Sequence, residues 1–144
     1  MEHKKSFTVI SKALKSRSMT NLILLTLALY FVQVLLPPAF DYVFQGKFMQ
    51  GMGSRDNPPP ATVQGARARR ALTNLTENMI LFLPLAILAI VLGKANGLAL
   101  SGALIFLLAR VAYVPLYLFG VPALRSGVWS IGLIGLFMMA AALL

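Results

Sequence analysis

From Leu98 to Leu144 the chain carries only two charged side chains, Arg110 and Arg125. The stretch is broken once, at Gly120-Val121-Pro122, into two apolar runs close to the roughly 20 residues that a helix needs to cross the hydrocarbon of a bilayer. Within lipid every backbone N–H and C=O must be paired inside the protein. Continuous apolar runs of this length therefore have one spanning form open to them, the α-helix. Extended to the rest of the chain, this reading gives an all-α fold, an integral membrane four-helix bundle. Its spans lie at about 21–36, 67–92, 98–119 and 126–144. A long loop, 37–66, separates the first two, and a basic N-terminal arm, 1–20, precedes them all in a single membrane domain.

Composition fits a protein dissolved in lipid. Of the 144 residues 58% are hydrophobic and 12% charged, and mean hydropathy is +0.79. A soluble domain carries about 25% charged residues. The formal charge of +9 does not point to nucleic acid, because the basic residues flank apolar spans, where they meet anionic headgroups. Cysteine is absent, which excludes disulfides, a thiolate nucleophile and Cys-based metal sites. Any thiol chemistry must use a thiol that a substrate brings. His3 is the only histidine, so no metal site and no Ser/His/Asp constellation is expected in the bundle.

The arm holds Lys4, Lys5, Lys12, Lys15 and Arg17, with Phe7, Ile10 and Leu14 at helical spacing. A short interfacial helix and a mobile basic tail both fit this pattern. Pro37 and Pro38 are expected to stop the first span, since proline breaks the helical hydrogen-bond ladder. The connection after them, with three glycines and the run Pro58-Pro59-Pro60, reads as extended loop. The apolar part of the second span, 79–92, is too short alone and is completed by polar residues N-terminal to it. Pro84 and Pro115 are expected to bend their helices. Short links make the last three spans antiparallel neighbours, and Gly127, Gly132 and Gly135 would allow close helix contact. Trp129 reads as an interfacial anchor. Both the arm and the first loop are basic, so charge alone leaves orientation open.

Charged residues within spans cost about 2.5–3.5 kcal/mol each on insertion scales and are functional suspects by default. Arg70, Asn74 and Glu77, with Asn78 beside them, fall at i, i+4 and i+7 on one face of helix two. That stripe must face protein or water. It is either a ligand site or an interhelical clamp. On helix three Arg110, Tyr113 and Tyr117 share a face. Arg110 has Glu77 as its obvious buried partner, and the tyrosines suit either a site or an interfacial belt. Arg125-Ser126 opens helix four, where a snorkelling arginine is the ordinary alternative to a functional one. Together these groups suit an anionic ligand, because guanidinium forks match carboxylates.

The string Arg70-Ala71-Leu72-Thr73-Asn74-Leu75-Thr76-Glu77-Asn78, followed by Pro84, resembles the helix-two signature of the MAPEG superfamily (membrane-associated proteins in eicosanoid and glutathione metabolism). Arg110-Val111-Ala112-Tyr113-Val114-Pro115-Leu116-Tyr117 is similar to its helix-three motif and Arg125-Ser126 to its helix-four arginine. Arg55-Asp56-Asn57-Pro58-Pro59-Pro60 resembles the loop of bacterial-type members, similar to microsomal glutathione S-transferase.

The resemblance implies a homotrimer in a membrane, by analogy a bacterial inner membrane, with glutathione as co-substrate and no metal. It implies that Arg70, Asn74 and Glu77 bind the tripeptide, that Arg110, Tyr113 and Tyr117 come to it from the adjacent subunit, and that Arg125 stabilises the thiolate. The activity implied is that of a glutathione-dependent transferase or peroxidase acting on lipophilic electrophiles or hydroperoxides. The alternatives are a non-catalytic member that binds a lipid or a partner protein, and a structural subunit held together by a Glu77–Arg110 pair.

Overall fold

The computed structural model describes residues 2–53, 58 and 60–144, with the backbone alone for 2–14. Arg55, Asp56, Asn57 and Pro59 of the loop motif, and the side chains of the arm as far as Leu14, lie outside the described residues. Helix α1 runs Glu2–Pro38, a π-helical turn follows at Ala39–Val43, and the short helix α2 covers Phe48–Met52. Three long helices complete the chain: α3 (Val63–Val91), α4 (Gly97–Phe119) and α5 (Pro122–Leu143). Four segments, Lys15–Val43 and the three long helices after it, are long and apolar enough to cross a membrane. The protein is an integral, multi-pass membrane protein with an all-α fold.

The first span differs from its expected form at both ends. Its helix starts at Glu2, so the backbone of the basic arm is continuous with the span. Pro37 and Pro38 do not stop it. Pro38 keeps helical angles (φ −65°, ψ −32°), which the proline ring itself favours. The chain then widens into i→i+5 bonding, with the Phe44 N–H donating to the Ala39 carbonyl at 2.9 Å and Lys47 to Tyr42 at 2.8 Å. A π turn is a recognised way to absorb a disrupted ladder without ending the helix. The expected loop 37–66 therefore begins with this turn and also holds α2.

The other spans begin earlier than expected because their caps lie upstream of the apolar runs. Thr62 caps α3 by accepting from the Gly65 N–H at 2.9 Å, and Asn96 caps α4 by accepting from Ala99 at 3.0 Å. Pro122 sits in the first turn of α5, where its missing N–H costs nothing. Gly120 ends α4 at φ +73°, a left-handed position suited to glycine. Pro84 and Pro115 lie inside uninterrupted helices.

The core is built where α3, α4 and α5 meet, with α1 laid against α3 and α4. Met19 of α1, Leu75, Met79 and Phe82 of α3, and Phe106 of α4 are buried in it. The Phe82 and Phe106 rings stack at 4.7 Å. Helices α4 and α5 form the most extensive pair. A Cβ added at Gly102 would lie 2.5 Å from the Gly135 carbonyl oxygen, and one at Gly135 would lie 2.6 Å from that of Gly102. This is the backbone approach that small residues permit in lipid. Gly132 and Gly135 take close-contact positions, whereas Gly127 faces open space.

Candidate functional site

Arg110 is the largest fully buried side chain among the described residues, 1% exposed, and it lies within α4. Its Nη1 donates to Asn74 Oδ1 at 2.9 Å and its Nη2 to Asn78 Oδ1 at 3.1 Å. Asn78 in turn donates from Nδ2 to the Asn74 carbonyl at 2.7 Å. The guanidinium lies 5.1 Å from the Phe106 ring centroid and 5.6 Å from that of Tyr113. Gly132 of α5 gives it room, since a Cβ there would come within 2.8 Å of Nη2. Arg110 Nε is buried with no hydrogen-bond partner.

The Glu77–Arg110 pair expected from the sequence does not form. Glu77 is exposed, and the ion pair found among the described residues is Arg69–Asp41. The reason is rotational. Asn74 and Asn78 stand four residues apart and share the inward face, while Glu77 lies about 100° around the axis from Asn78. The stripe of Arg70, Asn74 and Glu77 is therefore split. Asn74 faces α4, and Arg70 and Glu77 face outward.

Above Arg110 lies a cavity of about 280 Å³ lined by Asn74, Tyr113, Tyr117, Arg125, Ser126 and Trp129. Tyr113 and Tyr117 have ring centroids 5.4 Å apart. Arg125 lies over the Tyr117 ring at 4.6 Å, and Arg70 approaches the same ring at 5.9 Å, distances at which a cation is attracted to an aromatic face. Three helices thus supply an amide, two phenols, an indole and a guanidinium to one recess.

The family model for MAPEG proteins matches residues 20–144. The chain belongs to the MAPEG family. Among curated proteins and solved structures no match was found. Membership places this MAPEG chain among membrane proteins of glutathione and eicosanoid metabolism. Within the single chain Arg110, Tyr113 and Tyr117 meet Asn74, because α3 and α4 are antiparallel neighbours of the same bundle.

Asp41 and Gly65 escaped the sequence. Asp41, in the π turn, is 1% exposed. Its Oδ1 accepts from the Thr62 N–H and hydroxyl, both at 2.8 Å, and its Oδ2 accepts from Arg69. Gly65 is required here, since a Cβ would fall 2.0 Å from Asp41 Oδ1. Arg67 donates to the Leu118 carbonyl at 2.8 Å, which ties α3 to the last turn of α4. The first turns of α3 are thus fastened to the π turn and to α4, and this fixes the register of Arg70 and Asn74. A lone aspartate after Pro-Pro was the available signal. Trp129, read as a lipid anchor, lines the cavity. Among the described residues no three His, Cys, Asp or Glu side chains converge to hold a metal.

Proposed function

We propose that this protein is a membrane-bound glutathione-dependent transferase or peroxidase that activates the glutathione thiol against lipophilic electrophiles or hydroperoxides, working as a homotrimer in a bacterial inner membrane. The observation that carries the reading is Arg125 poised over Tyr117 at the edge of the cavity lined by Asn74 and Tyr113. A free thiol of pKa about 8.5 is only a few per cent ionised at neutral pH. A guanidinium beside the sulfur favours the anion, and Arg125 is the cation lining this cavity.

The donors present suit the tripeptide. About 280 Å³ lies at the small end of ligand pockets, so the cavity takes the central cysteinyl residue of glutathione. The outward-facing Arg70 and Glu77 then take charged groups of its two ends, a carboxylate to Arg70 and the ammonium to Glu77. Arg110 and Tyr113 act from beneath, with Arg110 holding the Asn74 amide in place. The chain has no cysteine, so the sulfur nucleophile belongs to the substrate.

The test is ultraviolet detection of glutathione thiolate on the purified protein near neutral pH, together with turnover of a model electrophile. A thiolate band that saturates with glutathione supports the reading. Neither binding nor turnover across several electrophiles and hydroperoxides would overturn it. A second reading, binding of a lipid or a partner protein without catalysis, is favoured by Arg110, whose two hydrogen bonds to amide oxygens already serve the bundle. Glutathione binding without thiolate formation is the result that reading expects.

A further inference from the structure

The end of the bundle that carries Arg70 and Arg125 holds a second recess, which the proposed glutathione site does not use. It encloses about 420 Å³ between the end of α1, the π turn, α2 and the start of α3. Val34, Pro37, Phe48 and Met52 give it apolar walls, Tyr42 closes one side, and Arg69 is the one charged side chain among its described lining residues. The volume falls within the usual range of ligand sites.

Three features identify the occupant. The first is depth. Between Arg17 and Asp41 the chain carries no charged side chain over 23 residues, about 35 Å of helix at 1.5 Å per residue, enough to cross the roughly 30 Å of hydrocarbon and bring Asp41 to its edge. The recess therefore opens at headgroup level. The second is charge. Arg69 keeps its side chain half exposed, at 50%, although it pairs with Asp41, and a guanidinium has five N–H donors. Asp41 is committed to Thr62 and Arg69, while Lys47 and Arg70 add positive charge to this end. The third is continuity with lipid. Phe44, Phe48, Met49 and Met52 are 71%, 54%, 75% and 61% exposed around the recess, an apolar rim that a polar solvent would not favour.

We propose that this recess binds an anionic phospholipid of the protein's own bilayer, with its phosphate on Arg69 and its glycerol and first methylenes against Val34, Pro37, Phe48 and Met52. The acyl tails run out past Phe44 and Met49 into the membrane. A phosphodiester presents paired oxygens to the guanidinium fork. The bound lipid bridges α1, α2 and α3 at the corner that the Asp41–Arg69 pair also fastens. The proposal is independent of the glutathione reading.

The experiment is native mass spectrometry of the full chain released from bilayers of equal phosphatidylglycerol and phosphatidylcholine. The expected result is retention of phosphatidylglycerol over phosphatidylcholine by about fivefold, the preference that one cation at the surface supplies. Arg69→Gln combined with Asp41→Asn removes the cation without stranding a buried carboxylate, and retention should fall to parity. Met52→Trp narrows the recess with the ion pair intact, and should lower retention of either lipid several-fold. Parity in the unaltered protein, or an unchanged preference in a folded double variant, overturns the proposal. If the double variant does not fold, Met52→Trp decides: lowered retention supports the site and undiminished retention overturns it. Free oleate added to the same bilayers is the last arm. Displacement of phosphatidylglycerol by equimolar oleate would make the occupant a free long-chain carboxylate and overturn the phospholipid assignment.

Discussion

Arg110 donates to the Asn74 side chain at 2.9 Å, joining α4 to α3 through a guanidinium buried in the middle of a membrane protein with no carboxylate partner among the described residues. Two amide oxygens and two aromatic faces take the place of a counter-ion. A buried charge held this way depends on each of its partners, because removing one leaves the guanidinium under-solvated rather than merely deleting a contact.

That dependence gives the first prediction. Asn78→Leu should destabilise the bundle by about 1.5–3 kcal/mol, the usual range for a hydrogen bond to a charged group. The same change made in an Arg110→Met background should cost much less, since the charge it served is gone. Unfolding of the four proteins in detergent measures the coupling. Equal costs in both backgrounds would show that Asn78 does not serve Arg110.

The crossing of α4 and α5 is limited by backbone, not by side chains that can turn aside. Gly135→Ala places a Cβ against the Gly102 carbonyl and the Phe106 backbone, and the helices must part to accept it. Such overpacking costs about 1–3 kcal/mol. Gly127→Ala, on the same helix with open space around it, should be neutral or slightly stabilising through better helix propensity. Thermal unfolding of the two variants side by side separates a true crossing point from a general effect of glycine in α5.

At the other corner Gly65→Ala and Asp41→Asn test one clamp from two sides. The alanine Cβ has no room beside the Asp41 carboxylate, so it should expel that side chain from Thr62 and free the start of α3. Asp41→Asn keeps an oxygen for Thr62 and loses the charge facing Arg69, so its effect should be the smaller one. Loss of the Thr62 cap as well would add about 1 kcal/mol to the alanine variant. Amide exchange along the first turns of α3 reads the result directly, and protection in both variants equal to that of the unaltered protein would show that the clamp does not hold this helix end.

What the sequence disclosed about this fold followed from local rules. The apolar runs near 98–119 and 126–144 reported their own helices, because each answers only to the lipid around it. What it concealed depended on partners far along the chain. Asp41 finds Thr62 and Arg69 at separations of 21 and 28 residues, and Arg110 finds Asn74 at 36. Helical spacing placed Arg70, Asn74 and Glu77 on one broad face, but a face about 100° wide spans both buried and exposed positions. Only the placement of α4 decided that Asn78, not Glu77, would meet Arg110. Pro37 and Pro38 were misleading for a similar reason. Proline forbids one hydrogen bond, and the neighbouring π turn supplied others.

The last prediction concerns Arg125 and separates binding of glutathione from its activation. Arg125→Ala should leave binding by the outward-facing Arg70 and Glu77 largely intact while removing the cation nearest the phenols of the cavity. If Arg125 lowers the thiol pKa by one to two units, each unit corresponds to about 1.36 kcal/mol. The ionised fraction at pH 7 then rises from about 3% to between roughly one quarter and three quarters. In the alanine variant the thiolate absorbance should vanish near neutral pH and return as pH rises toward 8.5, with kcat following it and KM for glutathione changing little. Arg125→Lys keeps a charge but loses the planar group that lies over Tyr117, and the two residues are not equivalent at a stacked site. It should recover part of the thiolate signal and not all of it. A pH profile identical in all three proteins would remove Arg125 from the chemistry and leave it as the first turn of α5.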